Sequence, residues 1–220
     1  MKKFIDLTMT IHDNLLTYKA PWHPKVKIEK LATFRERKRE TSKITIGTHS
    51  GTHIDSPRHF IAKGKTIEKI HIEQLCGKAI ILNFSKAPFK KKICIKDLKK
   101  KIGSSKLEKK LIIRYDWEIR STRKNYFTHH PYLSKAACEW LVKKKIDLLG
   151  FDCPQPDNPL NSFGSKNDAE NHKILLKNNI IIVEYLINLR KIKRKKFQLF
   201  VCPLKIKNGD GAPSRCFAEI

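Results

Sequence analysis

The segment His49–His59, HSGTHIDSPRH, constrains the fold more than any other part of the chain. It places His49, His53, Asp55 and His59 at odd positions, so an extended backbone would turn all four side chains to one face. A straight strand, however, would separate His49 from His53 by ~13 Å at ~3.3 Å per residue. Ligands must approach one metal ion to ~2.0–2.2 Å, so the backbone has to curl if these residues act together. Gly51 permits the curl and Pro57 fixes a second bend. A helical H-x-x-x-H is rejected, because Gly51, Thr52, Ile54 and Pro57 make poor helix. A lone histidine here would read as a hydrogen-bonded loop residue. Four ligand-type side chains at this density read as a metal site, suited to Zn²⁺ and also to Mn²⁺ or Fe²⁺.

A second segment lies more than a hundred residues away, in NDAENHKILLKNNIIIVEYLINL. Asn167 or Asp168 opens a helix over Ala169–Lys177, on which His172 shares a face with Ala169 and Leu176 and so points inward. Glu184 follows the branched run Ile180–Val183. A carboxylate there suffers a severe desolvation penalty unless a cation faces it. A metal would serve, and so would a buried Arg or Lys.

The rest of the chain supplies short strands and interspersed helices. Strands are expected over residues 2–11, near Lys25–Lys30, over 43–48, Ala79–Phe84, Leu111–Arg114, Ile146–Phe151 and Ile180–Val183. Two more are expected in LFVCPLKI and in the closing GDGAPSRCFAEI. Ser134 caps a helix running to about Lys145. Loops gather around Pro21 and Pro24 and around Pro154, Pro156 and Pro159. The class is α/β or α+β with a mixed sheet. With no internal repeat or linker, 220 residues fit one domain.

A net charge of +26 raises nucleic-acid binding as a rival function. The basic runs Lys90–Lys92, Lys99–Lys101, Lys143–Lys145 and Arg190–Lys196 lie far apart in sequence, with no nucleic-acid module around them. They read as solvated surface, and nucleic acid is not the expected partner. The six scattered cysteines form no CxxC pair and read as reduced and mostly buried. No apolar stretch reaches the ~18 residues of a membrane span. Asp6 and His12 interrupt the start too early for a signal peptide, so a cytoplasmic setting is expected.

The chain resembles the bacterial kynurenine formamidase/cyclase-like family of metal-dependent hydrolases. Its H-x-G-T/A-H-x-D-x-P-x-H segment is matched without gaps from His49 to His59. Its H-[RK]-x-L-L helix, with a Glu twelve residues after the His, is matched by His172–Leu176 and Glu184. Weaker likeness lies in IDLTMTIHDNLLTY, in Gly150–Asp157 and in Asp210–Pro213. The resemblance implies a compact α/β domain over residues 1–220 with a mixed, barrel-like β-core and flanking helices (a cyclase-like swivelling β/β/α fold).

It also implies one or two Zn²⁺ ions, with Mn²⁺ as the alternative. His49, His53 and Asp55 would hold the first metal, Asp55 and Glu184 would reach both, and His172 would complete the second site. His59 would carry the proton, and the assembly would be a homodimer or homotetramer. The chain departs from the family's PGD-type loop at Tyr18–Pro24, where Trp22 is the residue that would stack on an aromatic substrate. The implied reaction is hydrolysis of a small-molecule amide, N-formyl or cyclic, by metal-activated water. A different lactam, lactone or ester is the alternative substrate. Taken singly, Trp22, His23, Phe127, His129 and His130 read as packing or loop surface, and Asp152 and Asp157 as turn residues beside prolines. Arg215 is expected to pair with a buried carboxylate near the site.

Overall fold

The branched runs become a closed sheet in the computed structural model, which describes residues 2–161 and 163–220. Its strands are β1 (Phe4–Asp6), β2 (Lys27–Ala32), β3 (Thr41–Thr45), β4 (His53–Asp55), β5 (Cys76–Asn83), β6 (Lys92–Ile93), β7 (Lys110–Arg114), β8 (Tyr132–Leu133), β9 (Leu148–Phe151), β10 (Ile181–Glu184), β11 (Lys196–Pro203) and β12 (Gly211–Glu219). The helices are α1 (Phe34–Arg37), α2 (Ile72–Leu75), α3 (Ile95–Ile102), α4 (Trp117–Arg120), α5 (Lys135–Lys143) and α6 (Glu170–Lys177).

Strands pair in the order β1-β12-β11-β5-β7-β9-β10-β4, and β4 pairs back onto β12. A barrel-like sheet results, mixed as expected. The β5, β7, β9 and β10 ladders are parallel, whereas β4, β12 and β11 join antiparallel. One edge of β12 is shared: Gly211–Pro213 pair with β4, and Phe217–Glu219 pair with β1. Strands β2 and β3 form a separate, largely exposed two-stranded ribbon.

The parallel run explains the unbroken apolar patches in the sequence. Strands buried on both faces need apolar residues at every position. Ile80, Leu82, Leu111, Ile113, Leu149 and Phe151 point outward, where they pack with Leu98 of α3, Leu141 of α5 and Leu175 of α6. Ala79, Ile81, Ile112, Leu148 and Val183 point inward and meet Ile54, Leu199 and Ala212. Gly150 is small because Ile112 Cδ1 would lie 2.5 Å from any Cβ there.

Most of the expected elements form at the expected places. Ser134 caps α5 by accepting a hydrogen bond from the Ala137 amide. The expected helix at Ala169 starts one residue later, because Ala169 sits at φ 48 as the N-cap of α6. All six cysteines are free; Cys138, Cys153 and Cys216 are buried, whereas Cys202 is exposed. Among the described residues no helix is long and apolar enough to cross a membrane.

Candidate metal centre

The two sequence segments meet on the outward face where β10, β4 and β12 adjoin. Register dictates this. Glu184 faces His53 across the β10–β4 ladder, Ile182 faces Asp55, and Gly211 faces Asp55 from β12. With Ile54 turned inward, period two turns His53 and Asp55 outward together. The curl needed to bring in His49 is present: Gly51 has φ +61, and a short 3₁₀ turn begins at Pro57. Thr52 fastens the bend, donating to the Tyr185 carbonyl at 2.7 Å and accepting the Met9 amide at 2.9 Å. Ser56 anchors the far end through the Asp210 carbonyl at 2.8 Å.

Donor atoms of His53, Asp55 and Glu184 lie within 4.8 Å of one another, as do those of His49, Asp55 and His59. Asp55 belongs to both groups. His53 Nε2 is 3.2 Å from Asp55 Oδ1 and 3.5 Å from Glu184 Oε2. His172 Nε2 reaches in from α6, 3.4 Å from Asp55 Oδ2 and 3.3 Å from Glu184 Oε1. His59 stacks on His49 with ring centroids 3.8 Å apart. The sequence reading set His59 apart from the ligands, yet its imidazole stands close enough to be one.

The inner histidines are held by their far nitrogens. His53 Nδ1–H donates to the Gly51 carbonyl at 2.8 Å. His172 Nδ1–H donates to Asp157 Oδ2, and the same carboxylate accepts the Asn171 amide at the start of α6. Each bond fixes one tautomer and leaves Nε2 aimed into the cluster. His49 lies between two carboxylates, 2.7 Å from Asp55 Oδ1 and 2.7 Å from Asp210 Oδ2. Gly211 makes room for it: a Cβ there would lie 2.7 Å from His49 Cε1.

Electrostatics shows how tightly these charges are coupled. Burial alone would lower His49, but the charge of Asp55 and the hydrogen bonds to Asp210 and Asp55 raise it to about 9. Burial likewise opposes ionisation of His172, yet Asp157 outweighs it and holds the imidazolium well above its usual range. Asp55 is also pushed upward by burial, but the His49 charge and the imidazoles of His172, His49 and His53 around it hold it well below the carboxylate range. Glu184 is raised by burial and by the negative charge of Asp55. Burial also keeps His59 lowered. Asp55 Oδ2 and Glu184 Oε1 are buried with no hydrogen-bond partner. Two unsatisfied carboxylate oxygens among inward imidazole nitrogens are the donor set of a divalent cation, and the residues fit one.

A cavity of about 500 Å³ opens over the cluster. Trp22 lines it, tilted against Phe163 with centroids 4.9 Å apart. Three residues given no role in the site from sequence also belong here: His23 and Asp157 line the cavity, and Asp210 holds His49. By contrast, His130 is buried against Trp117, and Asp152 ties the Tyr115 and Asp116 amides. Arg215 is a correction: it pairs with Asp6 at the exposed surface, 2.7 Å away, because β12 turns it outward beyond the β1 edge.

With this geometry in view, comparison with known proteins gives one family. The sequence profile of the Cyclase family matches residues 5–158. The chain belongs to the Cyclase family. It is 32% identical to a kynurenine formamidase of Geobacillus thermodenitrificans, over 78% of this chain and 76% of that one. An isatin hydrolase of Roseibium aggregatum is 28% identical, over 80% of this chain and 73% of its own length. The crystal structure of an isatin hydrolase bound to the product analogue thioisatinate superposes with a TM-score of 0.90, covering 100% of this chain and 92% of that one at 24% identity. The fold of this Cyclase-family chain is therefore shared over its full length.

Proposed function

We propose that this Cyclase-family chain is a metal-dependent hydrolase of a non-peptide amide, an N-formyl or cyclic one. A single observation carries the reading: two buried carboxylates with unsatisfied oxygens converge on histidines whose outer nitrogens are already engaged. His49, His53 and Asp55 would hold one metal, and His172 and Glu184 a second, with Asp55 and Glu184 reaching both. When bound, such a cation supplies polarisation of the scissile carbonyl and brings water toward a pKa of ~7.

The chain's own residues supply the rest. Gly51 and Asp157 hold the Nδ1 atoms of His53 and His172, which keeps both Nε2 atoms aimed into the cluster. Water adds its oxygen to the carbonyl carbon, the C–N bond breaks, and the leaving nitrogen needs a proton. His59 would relay it: burial lowers its pKa and favours the neutral imidazole, which takes the proton lost by the attacking water and passes it to the leaving nitrogen, with Asp210 Oδ2 3.6 Å from its Nδ1. Trp22 and Phe163 offer an aromatic wall at the cavity mouth.

The names of the relatives support both a formamidase and a lactam hydrolase. The same reading takes residues 1–220 as one hydrolase domain, with zinc or manganese, working in the cytoplasm as a homodimer or homotetramer on a small molecule. Elemental analysis combined with hydrolysis of aryl formamides and isatin, before and after chelation, tests it. Metal at one or two per chain with chelator-sensitive turnover is expected; stoichiometric metal without turnover of any amide or lactam would remove the assignment.

A further inference from the structure

The charge of the cavity is opposite to that of the molecule. The chain carries 47 lysines and arginines and a net charge of +26. Among the described residues, not one lysine or arginine lines the cavity, whereas Asp55, Asp157, Asp168, Glu184 and Asp210 all do. Asp55, Glu184 and Asp210 face the histidine cluster, where a cation would offset them. The remote end is different. It is built from Tyr18, Trp22 and Phe163, with His23 against the first two, from the neutral amides of Gln155, Asn158 and Asn161, and from Asp168.

Among the described residues that end holds no lysine or arginine; its amides can hydrogen-bond a carboxylate but bring no positive charge to it. The amino end of α6 borders the cavity, and a helix start ordinarily favours negative charge. Here it is already taken: Asp157 accepts the Asn171 amide at 2.6 Å and lies 3.3 Å from the His172 amide. A substrate carboxylate at the mouth would therefore lose water, gain no cation, and face Asp168. An uncharged aromatic loses little by entering, and it covers the exposed faces of Trp22 and Phe163, which are 57% and 73% exposed.

We infer that this site selects compact aryl amides whose non-reacting part carries no carboxylate. The inference rests on the amide-hydrolase reading above and narrows it. Aryl formamides and fused lactams of neutral charge fall within the class. N-formylkynurenine is a zwitterion: its α-carboxylate finds no cation here, whereas its α-ammonium can face Asp168, so it lies at the edge of the class. Hydrolysis also turns a neutral amide into an anionic acid and an amine, and this lining has no cation at the mouth to retain the acid.

The test uses two ligands of nearly equal shape, 3-formamidobenzamide and 3-formamidobenzoate, with the metal-loaded full-length protein. Dissociation constants by calorimetry and kcat/KM are both measured. The carboxamide is expected to bind at least ~10-fold more tightly, a gap of ~1.4 kcal/mol. Its kcat/KM should exceed that of the carboxylate by a similar factor. Asp168→Asn should narrow the gap, and Asp168→Lys should close or reverse it. Equal or tighter binding of the carboxylate overturns the inference, as does failure of both ligands to bind at millimolar concentration. If the binding gap holds but neither ligand is hydrolysed, the hydrolase reading fails and the selectivity stands. If both are hydrolysed with no gap, the reverse is true.

Discussion

Two arcs of the same barrel obey the same alternation and end in opposite chemistry. Along β5, β7 and β9 the outward positions are Ile80, Leu82, Leu111, Ile113, Leu149 and Phe151, and they are sealed by α3, α5 and α6. Across β10, β4 and β12 the corresponding outward positions are Glu184, His53, Asp55 and Gly211. The inward faces hardly differ, since Val183, Ile54 and Ala212 continue the core made by Ile112 and Leu148. The centre is thus one stretch of the outer layer in which apolar packing has been exchanged for ligand-type residues, held on strands whose other face stays in the core. Rigid strands position such groups better than loops do. The cost is local: two crowded, buried carboxylates, each with one unsatisfied oxygen, burden the fold until a cation meets them.

The sharpest way to break this contrast is His59→Ala. A proton carrier standing beside the centre, and not within it, should lose kcat by about 10²–10⁴ while metal content stays unchanged. Atomic absorption on the variant decides the point. If metal is lost in parallel with turnover, His59 is a ligand, and the group His49, Asp55 and His59 is a binding site in its own right.

Next in size is the effect of the metal on stability. Saturation at ~1,000 times Kd should stabilise the fold by ~4 kcal/mol, read as a rise in Tm that chelation reverses. Glu184→Gln should abolish that increment. The same variant should leave the chelated protein as stable as before or more so, since it removes a charge that burial and Asp55 already disfavour. A chelated Glu184→Gln protein that melts well below the chelated parent would show that the carboxylate stabilises the fold by itself.

The other arc should behave in the opposite way. Ile113 is fully buried between β7 and the helices. Ile113→Ala should cost ~2–5 kcal/mol, by the same amount with and without metal, because a cavity does not depend on the cation. Urea titrations under both conditions measure it. A loss that appears only in the chelated protein would mean that the two arcs are energetically coupled.

How much of this was legible beforehand follows from the same contrast. The apolar arc could be read because burial on both faces writes continuous branched runs such as AIIL and LIIR. Glu184 and the His49–His59 segment could be read because they violate their surroundings: an acid closes an apolar strand, and four ligand types crowd one bend. Closure of β4 onto β12 could not, since nothing local encodes a pairing between residues 53–55 and 211–213. Asp157 and Asp210 were hidden for a related reason. Asp157 beside Pro156 looks like a turn acid and Asp210 opens a family-like stretch without a role of its own; each acts only through His172, fifteen residues on, or His49, 161 residues back. His23 comes into the site in the same way, by a loop folding over. The Ala169 helix start was misplaced because φ 48 at a non-glycine residue is set by tertiary context and not by propensity.

The smallest expected effect concerns that hidden layer. Asp157→Asn keeps the size of the side chain and its ability to accept the Asn171 amide, so α6 should remain capped and the fold intact. What changes is the group behind His172: the charge goes, and the new amide NH2 replaces the oxygen that accepted from Nδ1. The carboxylate that holds the imidazole well above its ordinary pKa, and polarises Nε2 toward Asp55 and Glu184, is replaced by a neutral amide. Metal affinity should fall ~10–100-fold, with Tm of the chelated protein nearly unchanged. Competition against a metallochromic chelator measures the first, and calorimetry the second. If affinity holds and only chelated stability drops, Asp157 is a helix cap and no more, and the polar arc needs no support beyond the strands that carry it.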